Sequence, residues 1–282
     1  DRDIHNLLDR FPPHLEFTEA EEIQGRSGLK ALGISDDAKF ICLIVRDSEY
    51  LSSELPSQNW NYHSYRDCNI QNYALAAEEL ANRGYFVVRM GANVKAPLSS
   101  SNSKIIDYAL SGMRSDFLDI YLGAKCTFCI TTGCGWDAVP SYLCRRPLLL
   151  TNIIPIGLLS TWSEKDLQTT KRLIRASDNT ELTVPEIFEL SLGFSIDASD
   201  YQNKGIRLVE NSPEELRDAT IEMVERIEGT WAAQPADENL QREFWQLFRT
   251  YAIDQSKQPP VHGELRARFG ATYLRENRHW FQ

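Results

Sequence analysis

The stretch Lys39-Phe-Ile-Cys-Leu-Ile-Val45 is apolar without interruption from Phe40 onward. A strand with one wet face alternates apolar and polar residues. An unbroken run marks a strand covered on both faces, as in a parallel sheet between two helical layers. The pattern recurs at Tyr85-Phe-Val-Val88, at Thr127 to Thr131 and at Pro147 to Leu150. Helical signals alternate with these runs. An acidic stretch from Thr18 to Leu32 stops at Gly33, and Asn69 caps a segment with Ile70, Tyr73, Ala77 and Leu80 on one face. Ser115 opens a helix through Gly123, and a Gly-rich turn after Thr131 leads into another ending near Leu143. Alternation of this kind predicts an α/β fold with a parallel sheet flanked by helices.

The remaining segments fit around that sheet. A Ser-rich loop at 98–103 precedes a short extended segment at Ile105-Ile106. Residues 160–205 carry no regular pattern, and Ile206-Arg-Leu-Val209 reads as the last strand. Ser212-Pro213-Glu214-Glu215 is a capping box opening a helix to about Ile227. Residues 237–282 read as helical, with Leu240, Phe244, Leu247, Phe248 and Tyr251 on one face. At 282 residues, and about 150 per domain, the chain holds one full α/β domain and something smaller. The expected division is a linker or remnant over 1–37, a nucleotide-binding domain over 38–230 and a helical segment over 231–282.

Thirty basic against forty acidic residues give a net charge of −10. That excludes nucleic-acid binding resting on bulk positive charge. The chain begins at Asp1, which reads as processing or as a piece of something longer, and no apolar signal-peptide core follows. The longest apolar stretch, Pro147 to Leu159, is too short for the roughly 20 residues of a transmembrane helix. Cys126 and Cys129 have the spacing of half a zinc site, but they fall in an apolar run with no histidine nearby. Buried reduced thiols, a cytoplasmic setting and no metal are the expectation.

Chemistry concentrates at strand ends. Thr131-Thr132-Gly133-Cys134-Gly135 lies between a strand and a helix, where glycines and first-turn amides suit a phosphate. A plain packing turn is the other reading. Gly133-x-Gly135-x-x-Ala138 also fits a dinucleotide fingerprint, but the acid due about 20 residues on is missing, and the first acid after the next strand is Glu164. An NAD-dependent sugar-modifying enzyme is therefore the alternative. Arg46-Asp47 follows the first strand and Arg89 the second, both where open α/β sheets bind ligands. Their guanidinium charges suit phosphate oxygens. Asp116 and Asp119 share a helix face, where complementing the helix dipole precedes acid–base work. Lys171, Arg172 and Arg175 read as a solvated helix face, with a lid over phosphates as the alternative. The loop Trp60 to Asp67 sets His63 among aromatics at the ligand edge, suited to a sugar or to packing on itself.

Val45-Arg46-Asp47-Ser48, Tyr62-His-Ser-Tyr-Arg-Asp67, Arg89-Met90-Gly91, Arg114 to Ala124, Thr131-Thr132-Gly133 and the tail Thr272 to Asn277 occur in this order. Together they resemble the bacterial glycosyltransferases of surface-polysaccharide gene clusters, from about Glu19 onward. A more distant likeness is to GDP-fucose-dependent fucosyltransferases of GT-B architecture. Their His-x-Arg motif is matched here by Val45-Arg46 without the histidine. The resemblance implies a Rossmann-like domain corresponding to the donor-binding half of a GT-B enzyme. It implies sugar transfer from a nucleotide-diphosphate donor, GDP-linked in the distant family, to a glycan acceptor, with inversion and without a metal. Arg46, Arg89, Thr131, Thr132, Gly133 and Gly135 would hold the diphosphate and Asp119 the base. His63, Arg66 and Asp67 would form a substrate loop. Arg46 and Asp47 are the catalytic candidates, with Asp47 and Asp67 placed to act as base. Such an enzyme works in the cytoplasm, where polysaccharide synthesis sits at the inner face of the membrane. A non-catalytic nucleotide- or sugar-binding module is the remaining reading.

Overall fold

A computed structural model describes residues 3–253 and 261–281. Part of the expected helical stretch 237–282, residues 254–260 and 282, lies outside the described residues, as do residues 1 and 2 of the expected linker. The strands are β1 (Phe40–Ile44), β2 (Phe86–Arg89), β3 (Ile105–Ile106), β4 (Cys129–Thr131), β5 (Leu148–Ile153), β6 (Leu167–Thr170), β7 (Arg172–Arg175), β8 (Ile206–Val209) and β9 (Arg268–Phe269). The helices are α1 (Leu7–Arg10), α2 (Glu19–Ala31), α3 (Glu49–Glu54), α4 (Ala74–Asn82), α5 (Asp116–Lys125), α6 (Val184–Glu189), α7 (Ala198–Asn203), α8 (Pro213–Glu228), α9 (Asp237–Ala252) and α10 (Ala271–Glu276).

Seven strands form one sheet in the order β3-β2-β1-β4-β5-β6-β9, and every pairing is parallel. This is an α/β, Rossmann-like sheet flanked by helices. β1 shows why its sequence has no polar residue. Phe40, Cys42 and Ile44 enter the core shared with α2, α5, α9 and α10. Ile41, Leu43 and Val45 enter the opposite core, under α4 and α8.

The helix caps follow local chemistry. The Thr18 hydroxyl accepts from the Glu21 amide while the Glu21 carboxylate accepts from the Thr18 amide, and Ser212 with Glu215 repeats the device at α8. Gly33 takes φ +80° just past α2. α2 packs on α5 through Gly25, where a Cβ would stand 2.2 Å from the Tyr121 ring.

Four expectations are corrected. Residues 160–205 contain β6, a strand of the main sheet, whose Leu-Gln-Thr-Thr sequence is fully buried yet too polar to read as a core strand. β8 is not the last strand of that sheet: it pairs antiparallel with β7 in a separate two-stranded sheet. Lys171, Arg172 and Arg175 consequently sit at and in β7 rather than on a helix. The tail is not wholly helical either. β9 pairs with β6, so residues within 231–282 complete the main sheet.

Candidate functional site

The chain leaves β1 toward β2 and leaves β4 toward β5, in opposite directions from adjacent strands. Such a switch point opens a crevice at the strands' carboxyl ends, where open α/β sheets take ligands. The loops after β1 and β4 meet there. The Arg46 amide donates to Thr132 Oγ1 at 2.8 Å. The Cys68 amide donates to the Arg46 carbonyl at 2.9 Å, so the 46–68 loop is closed at its base. Inside the loop α3 and a 3-10 segment at Asn61–Arg66 fold the chain back over the crevice.

Three cations converge on this edge. The Arg46 guanidinium pairs with Asp67 at 2.9 Å. Arg66 donates to the Gly133 carbonyl. Lys171, only 4% exposed, donates from Nζ to the Asp67 carbonyl at 2.6 Å. Burial lowers the Arg46 pKa, and the neighbouring Arg66 charge adds to the effect. Burial raises the Asp67 pKa against the pull of Arg46 and Lys171. Among the described residues Asp67 is the carboxylate within ion-pair distance of Arg46, while at longer range the charge of Asp47 reaches Asp67 and that of Arg66 reaches Asp137.

An aromatic group stands beside the cations. The His63 ring lies 4.0 Å from Tyr62 and 6.1 Å from Trp60, centroid to centroid. Tyr65, on the same segment, stacks on Tyr201 of α7 at 5.9 Å. Burial, then the charges of Arg46 and Arg66, lower the His63 pKa, which favours a neutral imidazole. Its Nδ1 is buried without a hydrogen-bond partner.

The turn after β4 differs from expectation. It runs into one 3-10 turn at Gly135–Ala138 and one π turn at Val139–Leu143, not an α-helix. Asp137, which sequence reasoning missed, closes it from within. Its Oδ2 accepts from Thr131 Oγ1 and from the Cys134 amide, both at 2.9 Å. Thr131 Oγ1 accepts from the Gly133 amide at 3.0 Å. The amides of Gly133 and Cys134, expected to face a phosphate, are thus engaged internally. Gly133 at φ +77° turns its carbonyl to Arg66, and Gly135 leaves open space where a Cβ would stand. Thr131 is fully buried and shapes the turn, whereas Thr132 accepts from Arg46 and retains its own hydroxyl proton for a ligand. A dinucleotide fingerprint needs an α-helix behind its glycines, and this turn has none.

Two expected site residues are engaged with partners outside the Arg46 group. Arg89 is 0% exposed, pairs with Asp107 at 3.0 Å and donates to the Ala96 carbonyl at 3.0 Å. It pins the 96–107 loop to β2. Asp119, in the first turn of α5, pairs with Arg114 at 2.9 Å, and burial raises its pKa. Among the described residues no hydrogen bond or ion pair links either to Arg46. Asp116 is exposed. Asp47 accepts the Glu49 amide with one oxygen and the Lys95 amide with the other, both at 2.9 Å, which ties two loops together.

All six cysteines are free, with Cys42, Cys68, Cys126 and Cys129 buried. Cys126 ends α5, with its thiol on the Gly123 carbonyl, while Cys129 lies in β4. Among the described residues no group of three metal-ligating side chains forms, and no helix is long and apolar enough to cross a membrane. Comparison with family models, with curated proteins and with solved structures returns no match.

Proposed function

We propose that this chain is a glycosyltransferase, or the donor-binding half of one with GT-B architecture, using a nucleotide-diphosphate sugar in surface-polysaccharide synthesis. The observation that carries this reading is the meeting of Arg46, Arg66 and Lys171 with the Thr132 hydroxyl at the β1/β4 switch point. A diphosphate set there meets two guanidinium forks and an ammonium, partly shielded from water. Its charge grows as the glycosidic bond breaks. Fixed cations therefore bind the transition state more tightly than the ground state. The ring stack of Trp60, Tyr62 and His63 offers a platform for the sugar. Asp119 lies on the helix entered from the carboxyl end of β3 and is the group for the nucleobase. Thr131 supports the site by shaping the turn after β4. The glycan acceptor approaches over the 46–68 loop.

Calorimetric titration with GDP, UDP, CMP and NAD tests the reading. A nucleoside diphosphate is expected to bind, and Arg46→Ala to weaken it. Unchanged affinity in that variant removes the phosphate role, and binding of NAD alone replaces the transferase with a nicotinamide enzyme. Release of sugar from a nucleotide-sugar panel separates an enzyme from a binding module.

A further inference from the structure

At the opposite, amino edge of the sheet a cavity of about 340 Å³ lies between the N-terminal segment and the chain entering β5 and β6. Four cationic side chains line it: Arg10, Arg145, Arg146 and Lys165. In a chain of net charge −10 that convergence is unusual, because acidic partners are in excess. Yet among the described residues none of the four makes an ion pair. Two of the arginines are instead fixed by neutral acceptors. Arg145 donates from Nε to the Leu8 carbonyl at 2.8 Å, and Arg146 from Nε to the Ala124 carbonyl at 2.7 Å. Arg145 also adopts φ +56°, a left-handed backbone rare outside glycine. The Arg145 and Arg146 guanidinium groups are thus held in place without an ion pair, the arrangement of a preorganised anion site, while Arg10 and Lys165 stand exposed around it.

The two carboxylates of the wall are engaged with partners other than these four cations. Asp9 pairs with Arg266 at 2.5 Å. Asp166 accepts from the Leu148 amide at 2.9 Å, and burial pushes its carboxyl up to about 7. Trp162, whose ring meets Tyr142 at 5.7 Å, gives the cavity an apolar side. Guanidinium forks match phosphoryl oxygens, and the volume falls in the range of small-ligand sites. From the four cations without an ion pair around one cavity with an apolar side we infer a binding site for a small phosphorylated molecule of sugar-phosphate size, separate from the switch-point crevice and independent of the function proposed for it.

The test uses an Arg46→Ala/Arg66→Ala background, which removes the switch-point cations, with glucose 6-phosphate and glucose as probes near physiological salt. Glucose 6-phosphate is expected to saturate at one molecule per chain, with glucose binding at least tenfold more weakly. Adding Arg10→Ala and Lys165→Ala is expected to lower glucose 6-phosphate affinity at least tenfold. Both side chains are exposed and hold no structural hydrogen bond among the described residues, so the melting temperature stays unchanged. Absence of saturable binding, equal binding of glucose, or indifference to the cavity substitutions overturns the assignment.

Discussion

The ends of β1 and β2 look alike in sequence: a buried apolar strand closing on an arginine. Their environments are opposite. Arg89 is sealed inside, with a carboxylate and a carbonyl as partners. Arg46 keeps 11% of its side chain exposed and has Arg66 as a like-charged neighbour. Position in the sheet makes the difference. β2 lies between β1 and β3, whose following loop wraps over its end. β1 lies beside β4, and the two chains part there, so Arg46 is covered by loops that bring Arg66 as well as its partner Asp67. Topology at the strand end decides whether such an arginine is sealed completely or keeps part of its head exposed.

Removing each arginine gives the widest separation. Arg89→Ala leaves Asp107 uncompensated in a poorly hydrated setting and is expected to cost about 3–5 kcal/mol in urea unfolding. Protein that remains folded keeps its nucleotide affinity. Arg46→Ala is expected to do the reverse. Loss of a charge-assisted contact weakens nucleoside-diphosphate binding by about 1.5–3 kcal/mol, roughly tenfold or more by calorimetry. Stability falls by only about 1 kcal/mol, because relief from Arg66 offsets the lost Asp67 pair. Equal stability losses in the two variants would erase the distinction.

Gly133→Ala probes the turn that serves Arg46 but has no counterpart at Arg89. A side chain at φ +77°, 3.3 Å from Ile153 Cδ1, is expected to cost about 1–2 kcal/mol in thermal unfolding. It also displaces the carbonyl that Arg66 reaches, so nucleotide affinity drops with it. The finest test is the His63 titration followed by NMR. Arg46 is one of the charges holding this pKa below the ordinary histidine value. Removing a positive neighbour favours the protonated ring, so Arg46→Ala raises the pKa. Arg89→Lys leaves it where it was. A shift in both variants would mean that His63 responds to general loosening rather than to its neighbour's charge.

The main sheet's central strands were legible because their burial on two faces is written in unbroken apolar runs, and α2 and α8 because a glycine stop and a capping box are local signals. β6 was not, because its buried Gln168, Thr169 and Thr170 are stabilised by distant partners such as Asn211. β9 was not, because a two-residue strand has no period. In the site, Arg46 and Thr132 meet because they end neighbouring strands, and the loop carrying Arg66 and Asp67 folds onto them. Asp137 could have been found by capping logic, being an acid three residues after Cys134. Lys171 could not, since its approach to Asp67 depends on β6. Arg89 was misread because its partner Asp107 lies across a loop whose path the sequence does not disclose.

The seventh strand carries a consequence for synthesis. Leu167 waits for Arg268 as its neighbour, so β6 leaves the ribosome long before the segment that covers it. Until then it presents an open edge to other nascent chains, the usual start of aggregation. Arg268 and Phe269 thus act as a seal on β6, and a chain cut before Arg268 is expected to shift into the insoluble fraction on expression.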